Sequence, residues 1–273
     1  MPQVHPTAIV DPQAELADDV IIGPYCIITG PVQIGAGTII HPHSQLEGKT
    51  RIGKNCRIGP TAFIGQPPQH LRADPDIGMT IIGDRVTIRE MTAVHRSITA
   101  GEEHATRIGD ECFVMSQAHV GHDGVLEPQA TIASGVFLGG HCHVGRNAFL
   151  GGGCVVHQFV RLGRLVIICG NEAVSQDVPP FGSMRYSGLK GYNAVGCRRS
   201  GMSAAGVKAV RAVYRCLHET RVMSRALERI EAEVGQVPEA REVIDFIRAS
   251  KRGIVPSVRQ HNPWGSGAGS EED

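Results

Sequence analysis

The sequence predicts an all-β left-handed parallel β-helix with a small α-helical C-terminal domain. Three observations carry this. An aliphatic residue recurs every six positions over most of the chain. A stripe of small or β-branched residues runs two positions ahead of it. Glycine supplies 34 of the 273 residues, whereas aromatics make up only 4%.

Steps of six from Val10 land on Leu16, Ile22, Ile28, Ile34, Ile40, Leu46, Ile52, Ile58 and Ile64. The phase returns at Ile82, Ile88 and Val94, slips by two residues, and resumes from Ile108 through Ile168. The companion stripe includes Val20, Cys26, Thr38, Ser44 and Cys56, then Cys112, Ala118, Cys142 and Cys154. Residues two apart on a strand point to the same side. Three such hexads close one triangular coil of about 18 residues, the pattern of a hexapeptide-repeat β-helix. At ~4.8 Å per coil, roughly nine coils make a prism about 40 Å long. So narrow a core has no room for rings, which accounts for the composition. Glycine follows many of the aliphatic residues (Ile22-Gly23, Ile52-Gly53, Leu138-Gly139). It is expected at the corners because it tolerates positive φ without steric cost.

The β-helix is assigned to residues 1–190, with loop excursions at 66–80, a polar and Pro-rich stretch, and at 99–107, where the phase slips. Loops on a rigid scaffold often carry function. After Asp177-Val178-Pro179-Pro180 the period becomes helical. Val207, Val210, Val213, Tyr214 and Leu217 recur at three and four behind Ser203. A second helix is expected from Ser224 to a stop at Gly235, and a third from Pro238. Together they form a helical domain over 191–255, and the Gly/Ser-rich tail 256–273 is expected to be disordered.

Charge and composition exclude several classes. Lys and Arg number 27 against 27 Asp and Glu, so no nucleic-acid binder with a net basic excess is indicated. No run of about 18 apolar residues is present to span a membrane. The N-terminus has neither the basic nor the apolar region of a signal peptide. Eight scattered cysteines without a Cys-x-x-Cys pair read as free thiols in a cytoplasmic protein. Those of the small stripe are expected to be inert core residues.

Thirteen histidines are numerous for such a chain, and five fall in one window: His119, His122, His141, His143 and His157. Residues one coil apart stack, so this group should line part of one face near a corner. Two chemistries compete. Stacked neutral imidazoles, including His141-x-His143, could hold a metal. Alternatively His122, followed by Asp123, could act as a general base oriented by a carboxylate. Gly139-Gly140, one coil away, could then aim backbone N–H groups at a developing oxyanion.

These residues also carry a resemblance. The prism, Ala118-His119-Val120-Gly121-His122-Asp123, Gly139-Gly140-His141, Val156-His157-Gln158-Phe159 and Gln176-Asp177-Val178-Pro179-Pro180, with the helical C-terminus, resemble the acyl-carrier-protein-dependent UDP-N-acetylglucosamine O-acyltransferases of lipid A synthesis. The likeness runs from about His5 to Ile254. It implies a homotrimer with clefts between prisms. The implied reaction transfers an (R)-3-hydroxyacyl chain from acyl carrier protein to the sugar 3-hydroxyl, with no metal or other cofactor. It implies His122 as base, Asp123 as its partner and Gly140 N–H as oxyanion donor. Gln69, His70, Arg72, His119, His141, Gln158, Asn193, Arg198 and Arg199 match substrate-binding positions. Arg211 and Arg215 match basic positions that meet the acidic carrier protein. His70 stands where the family has an aspartate, and segment 181–192 is shorter and lacks a family histidine. A related amino-sugar nucleotide is therefore an alternative acceptor. A zinc-dependent carbonic-anhydrase-type β-helix is an alternative from another class.

Overall fold

The structure, a computed structural model, describes residues 1–74, 76–220 and 222–257. Among these, short parallel strands stack into three sheets of eleven, nine and eight strands, the three sides of a prism. The register steps by a full coil: Ile22 pairs with Ile40, and Ile40 with Ile58. The repeat begins earlier than Val10, because Gln3–Val4 already pairs with Ile21–Ile22. The aliphatic stripe fills the interior, with Ile22, Ile40, Ile58, Ile88, Val114 and Leu138 at most 1% exposed.

The companion stripe is small for a reason beyond volume. Ser44 Oγ donates to the Gly59 carbonyl at 2.8 Å, and Thr38 Oγ1 to the Gly53 carbonyl at 2.9 Å. The Cys112, Cys142 and Cys154 thiols donate to the Glu127, His157 and Cys169 carbonyls at 3.2, 3.2 and 2.9 Å. A donor on a one-carbon stem thus satisfies a turn carbonyl of the next coil, so Ser, Thr and Cys interchange there. Burial raises the Cys112 thiol to about 11 and the Cys142 thiol to about 12, which keeps both protonated and unreactive.

The corner glycines require a correction. The left-handed turn positions are mostly not glycine: Asn55, Arg85, Gln117, Asp123, His141 and Phe159 all have φ between 56° and 65° except Arg85, at 55°, and the latter five positions include two site residues. The glycines that follow the aliphatic residues serve close approach between stacked turns instead. A Cβ at Gly53 would lie 2.5 Å from the Gly83 carbonyl oxygen, and one at Gly163 2.3 Å from Pro180 N.

Both excursions are insertions within one coil. Ile64 pairs with Val94, a step of 30 where 18 is normal, so the first loop adds 12 residues. Val94 pairs with Val120, a step of 26, so the second adds 8. Eight is two more than one hexad, which is the slip seen in the sequence.

The prism continues past Val174. Gly182–Arg185 runs parallel to Ile167–Ile168 and turns back antiparallel as Gly188–Tyr192. The boundary at 190 therefore falls inside this last strand. Four helices follow: α1 (Ala194–Arg199), α2 (Ala204–Glu219), α3 (Met223–Val234) and α4 (Pro238–Arg248). Helix α1 had no counterpart in the sequence reading because it is too short to show a period. Ser203 caps α2, and the buried Tyr214 hydroxyl lies 2.6 Å from the Pro180 carbonyl and 3.0 Å from that of Pro179. This hydrogen bonding ties α2 to the end of the prism. Pro256 and Ser257, placed in the expected disordered tail, are instead paired with Leu189. The rest of that tail, 258–273, lies outside the described residues.

Candidate active site

The corner joining the nine- and eight-stranded sheets carries the histidines. His119–Val120 belongs to one sheet and Val125–Leu126 to the other, with Gly121, His122 and Asp123 in the turn between. Stacking places His122, Gly140 and Gln158 in one corner column, and Asp123, His141 and Phe159 in the next.

His122 is 8% exposed, and its Nδ1 lies 2.7 Å from Asp123 Oδ2. That oxygen also accepts the Ile98 N–H at 3.2 Å, and the Asp123 N–H donates to Thr106 Oγ1 at 2.8 Å. An ionised carboxylate only accepts, so the shared proton sits on Nδ1 and the lone pair on Nε2. Asp123 is therefore pinned from three sides, by His122, by the Ile98 N–H and by the Thr106 hydroxyl, the last two at the ends of the second loop. The imidazole of His122 lies flat against Gly140, where a Cβ would come 2.5 Å from Cε1 and 2.6 Å from Nε2. Some corner N–H groups are taken by carboxylates, Lys54 N–H by Asp84 and Arg146 N–H by Glu127, at 2.7 and 2.8 Å, whereas others, such as those of Gln158 and Gly152, are not. Among the described residues, the Gly140 N–H at the equivalent position donates to no protein acceptor.

Further rings surround this pair. His141 meets His122 edge-on at 5.1 Å between centroids and stacks on Phe159 at 4.4 Å. His70, on the first loop, also meets His122 edge-on, at 5.6 Å. His119 packs against His95 at 4.9 Å. Burial, helped by repulsion from His95 and His122, pulls the His119 imidazole down to about 4. Burial also lowers His141, with the opposing pull of Asp123 weaker. Both rings are thus neutral near pH 7.

Not every expected residue gathers here. His143 turns to the eight-stranded sheet and meets Glu127 at 3.1 Å, and His157 is exposed beside Arg252. The window of five histidines therefore contributes three, because His122 and His141 lie in stacked corner turns beside His119, while His143 opens a strand of the neighbouring sheet and His157 lies outside that column. Gln69 and Arg72 are exposed on the first loop, and the Arg72 N–H donates to His70 Nδ1 at 3.3 Å. Asn193 caps α1, with Nδ2 on the Leu165 carbonyl and Oδ1 accepting the Gly196 N–H, both at 2.9 Å. Arg198 and Arg199 are exposed at the end of α1. These three stand by the corner between the eight- and eleven-stranded sheets, so one chain does not bring them to His122. On α2, Arg211 is exposed and Arg215 pairs with Glu233 at 2.6 Å.

Sequence reasoning missed His95, Thr106 and Ile98, which hold the site in place. His95 donates from Nδ1 to the Pro67 carbonyl at 2.7 Å, tying the first loop to the histidine corner. Its signal was available, since Val94-His95 occupies the register of Val120-Gly121 one coil earlier. Sequence reasoning also assigned no metal ligands. Even so, His122, Asp123 and His141 each offer a ligand atom within 4.8 Å of the others.

Comparison with known proteins gives concordant results. Residues 177–255 match the family described as UDP N-acetylglucosamine O-acyltransferase, domain 2, and residues 31–66 match the bacterial transferase hexapeptide family. The acyl-[acyl-carrier-protein]–UDP-N-acetylglucosamine O-acyltransferase of Thermodesulfovibrio yellowstonii is 40% identical over 257 residues, covering 93% of this chain and 99% of that protein. The corresponding protein of Syntrophobacter fumaroxidans is 39% identical over 258 residues, covering 93% and 99%. Among solved structures, LpxA of Acinetobacter baumannii superposes with a TM-score of 0.87 at 36% identity, over 92% of this chain and 99% of that one. The UDP-N-acetylglucosamine acyltransferase of Francisella novicida gives 0.89 at 31% identity, over 99% and 100%. The left-handed β-helix with a helical C-terminal domain is common to them and to this chain.

Proposed function

The chain belongs to the acyl-[acyl-carrier-protein]–UDP-N-acetylglucosamine O-acyltransferases, and from this premise we propose that His122, Asp123 and Gly140 carry out the transfer. The activity is acyl transfer from acyl carrier protein to UDP-N-acetylglucosamine, the first step of lipid A biosynthesis. The observation that carries the assignment of roles is His122 held between the Asp123 carboxylate and an uncommitted backbone N–H at Gly140.

The sugar 3-hydroxyl is a weak nucleophile at neutral pH and needs a base within hydrogen-bond reach. His122 Nε2 takes its proton while the oxygen attacks the thioester carbonyl of the (R)-3-hydroxyacyl donor. Asp123 stabilises the imidazolium through Nδ1–H. The carbonyl oxygen becomes an oxyanion facing the Gly140 N–H. The intermediate then collapses, the C–S bond breaks, and the proton on Nε2 passes to the departing phosphopantetheine thiolate. The thioester is already activated, so this route uses no metal or other cofactor.

His119, His141 and Gln158 line the acceptor side of the corner, and the first loop brings Gln69, His70 and Arg72. Asn193, Arg198 and Arg199 would reach the nucleotide from a neighbouring prism of a homotrimer. Their separation from His122 within one chain supports that reading, as do the exposed Phe137, Val155 and Phe159 beside the site. Arg211 and Arg215 on α2 are assigned to the acidic carrier protein. No described helix is long and apolar enough to cross a membrane, and we place the enzyme in the cytoplasm. A related amino-sugar nucleotide is the second reading, favoured by an imidazole, His70, against the base.

The test is turnover of a panel of UDP-sugars with defined 3-hydroxyacyl carrier proteins, products identified by mass. His122→Ala should lower the rate on the order of 10²- to 10⁴-fold while the assembly stays folded. Near-parental turnover in that variant would remove His122 from the role of base.

A further inference from the structure

We propose that the His122–Asp123–His141 cluster also binds one first-row divalent cation of the zinc type, and that this ion competes with the acceptor sugar as a reversible inhibitor. The competition rests on the assignment of His122 as base; the binding of the ion does not.

The donor set is two imidazoles and one carboxylate. That combination suits zinc, cobalt and nickel, whereas magnesium prefers oxygen ligands alone. Geometry supports a single ion. With metal–ligand bonds of ~2.0–2.1 Å, ligand atoms of a tetrahedral zinc site lie about 3.3 Å apart. Asp123 Oδ2 stands 2.7 Å from His122 Nδ1 and 3.9 Å from His141 Nε2, distances that bracket that value. Small ring rotations would bring the three atoms to bonding distance.

The frame around them is stiff. Asp123 sits at φ 56°, with its N–H on Thr106 and its carboxylate on Ile98 N–H. His141 is held flat on Phe159 with an interplanar angle of 5°. Ligands fixed beforehand lose little freedom on binding. Three protein ligands leave a position for water, as in open zinc sites. His70, at 5.6 Å from the His122 ring, adds a third imidazole on the adjoining loop.

The ion and the acceptor need the same lone pair. If the metal takes His122 Nε2, the base is occupied directly. If it takes Nδ1, the remaining proton moves to Nε2 and the ring can no longer accept one. Either way proton removal from the sugar hydroxyl stops. The Asp123 carboxylate is also withdrawn from the imidazolium it would stabilise.

The experiment uses the full chain, with Co²⁺ as a spectroscopic probe and Zn²⁺ as inhibitor. One equivalent of Co²⁺ should give the visible absorption of a low-symmetry nitrogen–oxygen site, discharged by Zn²⁺. Asp123→Asn and His141→Ala, each checked for folding by circular dichroism, should bind Co²⁺ about 10- to 100-fold more weakly. His143→Ala, which alters a histidine outside the cluster, should bind it like the parent. Zn²⁺ should inhibit transfer, with a half-inhibitory concentration that rises in proportion to UDP-N-acetylglucosamine, and a chelator should restore the rate. No stoichiometric Co²⁺ spectrum, or parental affinity in both Asp123→Asn and His141→Ala, would overturn the site. Zn²⁺ inhibition indifferent to sugar concentration would overturn the competition. If UDP-N-acetylglucosamine is not the acceptor, the Co²⁺ titrations still decide whether the site exists.

Discussion

Gly140→Ala is the sharpest test of the corner geometry. Carbon atoms pack at about 3.5–4.0 Å. The new methyl would stand 2.5 Å from His122 Cε1 and 2.6 Å from Nε2, a shortfall of about 1 Å. The Gly140 backbone is not in the left-handed region, so alanine can adopt its conformation and the strain falls on the imidazole. His122 cannot swing freely, because His70 and His141 pack against it and Asp123 holds Nδ1 at 2.7 Å. The ring must therefore shift by roughly 1 Å and loosen from Asp123. A misplacement of that size costs on the order of 10²-fold in rate, or about 2.7 kcal/mol of barrier. Overpacking of this kind destabilises a fold by about 1–3 kcal/mol, which the long prism should withstand. The assay is the initial rate of acyl transfer to UDP-N-acetylglucosamine, with kcat and KM separated and Tm measured alongside. The expected result is a large fall in kcat with a small change in Tm. A kcat/KM within about threefold of the parent in a folded protein would refute the claim that the bare Cα positions the base.

Gly53→Ala sets a Cβ 2.5 Å from the Gly83 carbonyl oxygen, far from the site, and should lower stability by about 1–3 kcal/mol without changing kcat. Tyr214→Phe removes the hydroxyl from the Pro179 and Pro180 carbonyls in a buried setting; a loss of about 1–3 kcal/mol is expected by denaturant titration, and an unchanged midpoint would contradict the docking role. A third outcome concerns His119, whose folded pKa of about 4 lies below the usual 6.5. In that window the unfolded chain binds the extra proton, so stability is full above about 6.5 and falls as the pH drops toward about 4. His119→Gln should flatten that part of the Tm–pH curve, and an unaltered slope would show that the ring contributes nothing to it.

Much of this architecture was legible from residues alone. The stripe through Ile22, Ile40 and Ile58 predicted the stacking, and it stacks in that register. Ser203, Gly235 and Pro238 marked helix ends to within a residue. Where the reading departed from the structure, the cause lay in contacts between coils. Glycine at Gly53 looked like a turn residue, yet its reason is a carbonyl of the next turn at 2.5 Å from where a Cβ would be. His143 looked like a partner for His141, but His141 sits in the left-handed corner turn while His143 opens the next strand, whose face turns it to Glu127. His95 went unnoticed because the second insertion stretches the step from its coil to that of His122 from 18 residues to 26.

The sequence by itself determined the prism, its periodicity, the helical cap and the presence of a histidine-rich corner. Each follows from short-range rules: which side a residue faces, and how often that side recurs. The tertiary structure decided which histidine keeps a free lone pair, which glycine leaves room for it, and which backbone N–H stays uncommitted. Those depend on distances of a few ångströms between residues one coil apart and on loops folded back over the corner. The hydrogen bonds that join Asp123 to Thr106 and Ile98 are the clearest case. No periodicity in the chain encodes it, because an eight-residue insertion lies between the repeat and the residues it brings together.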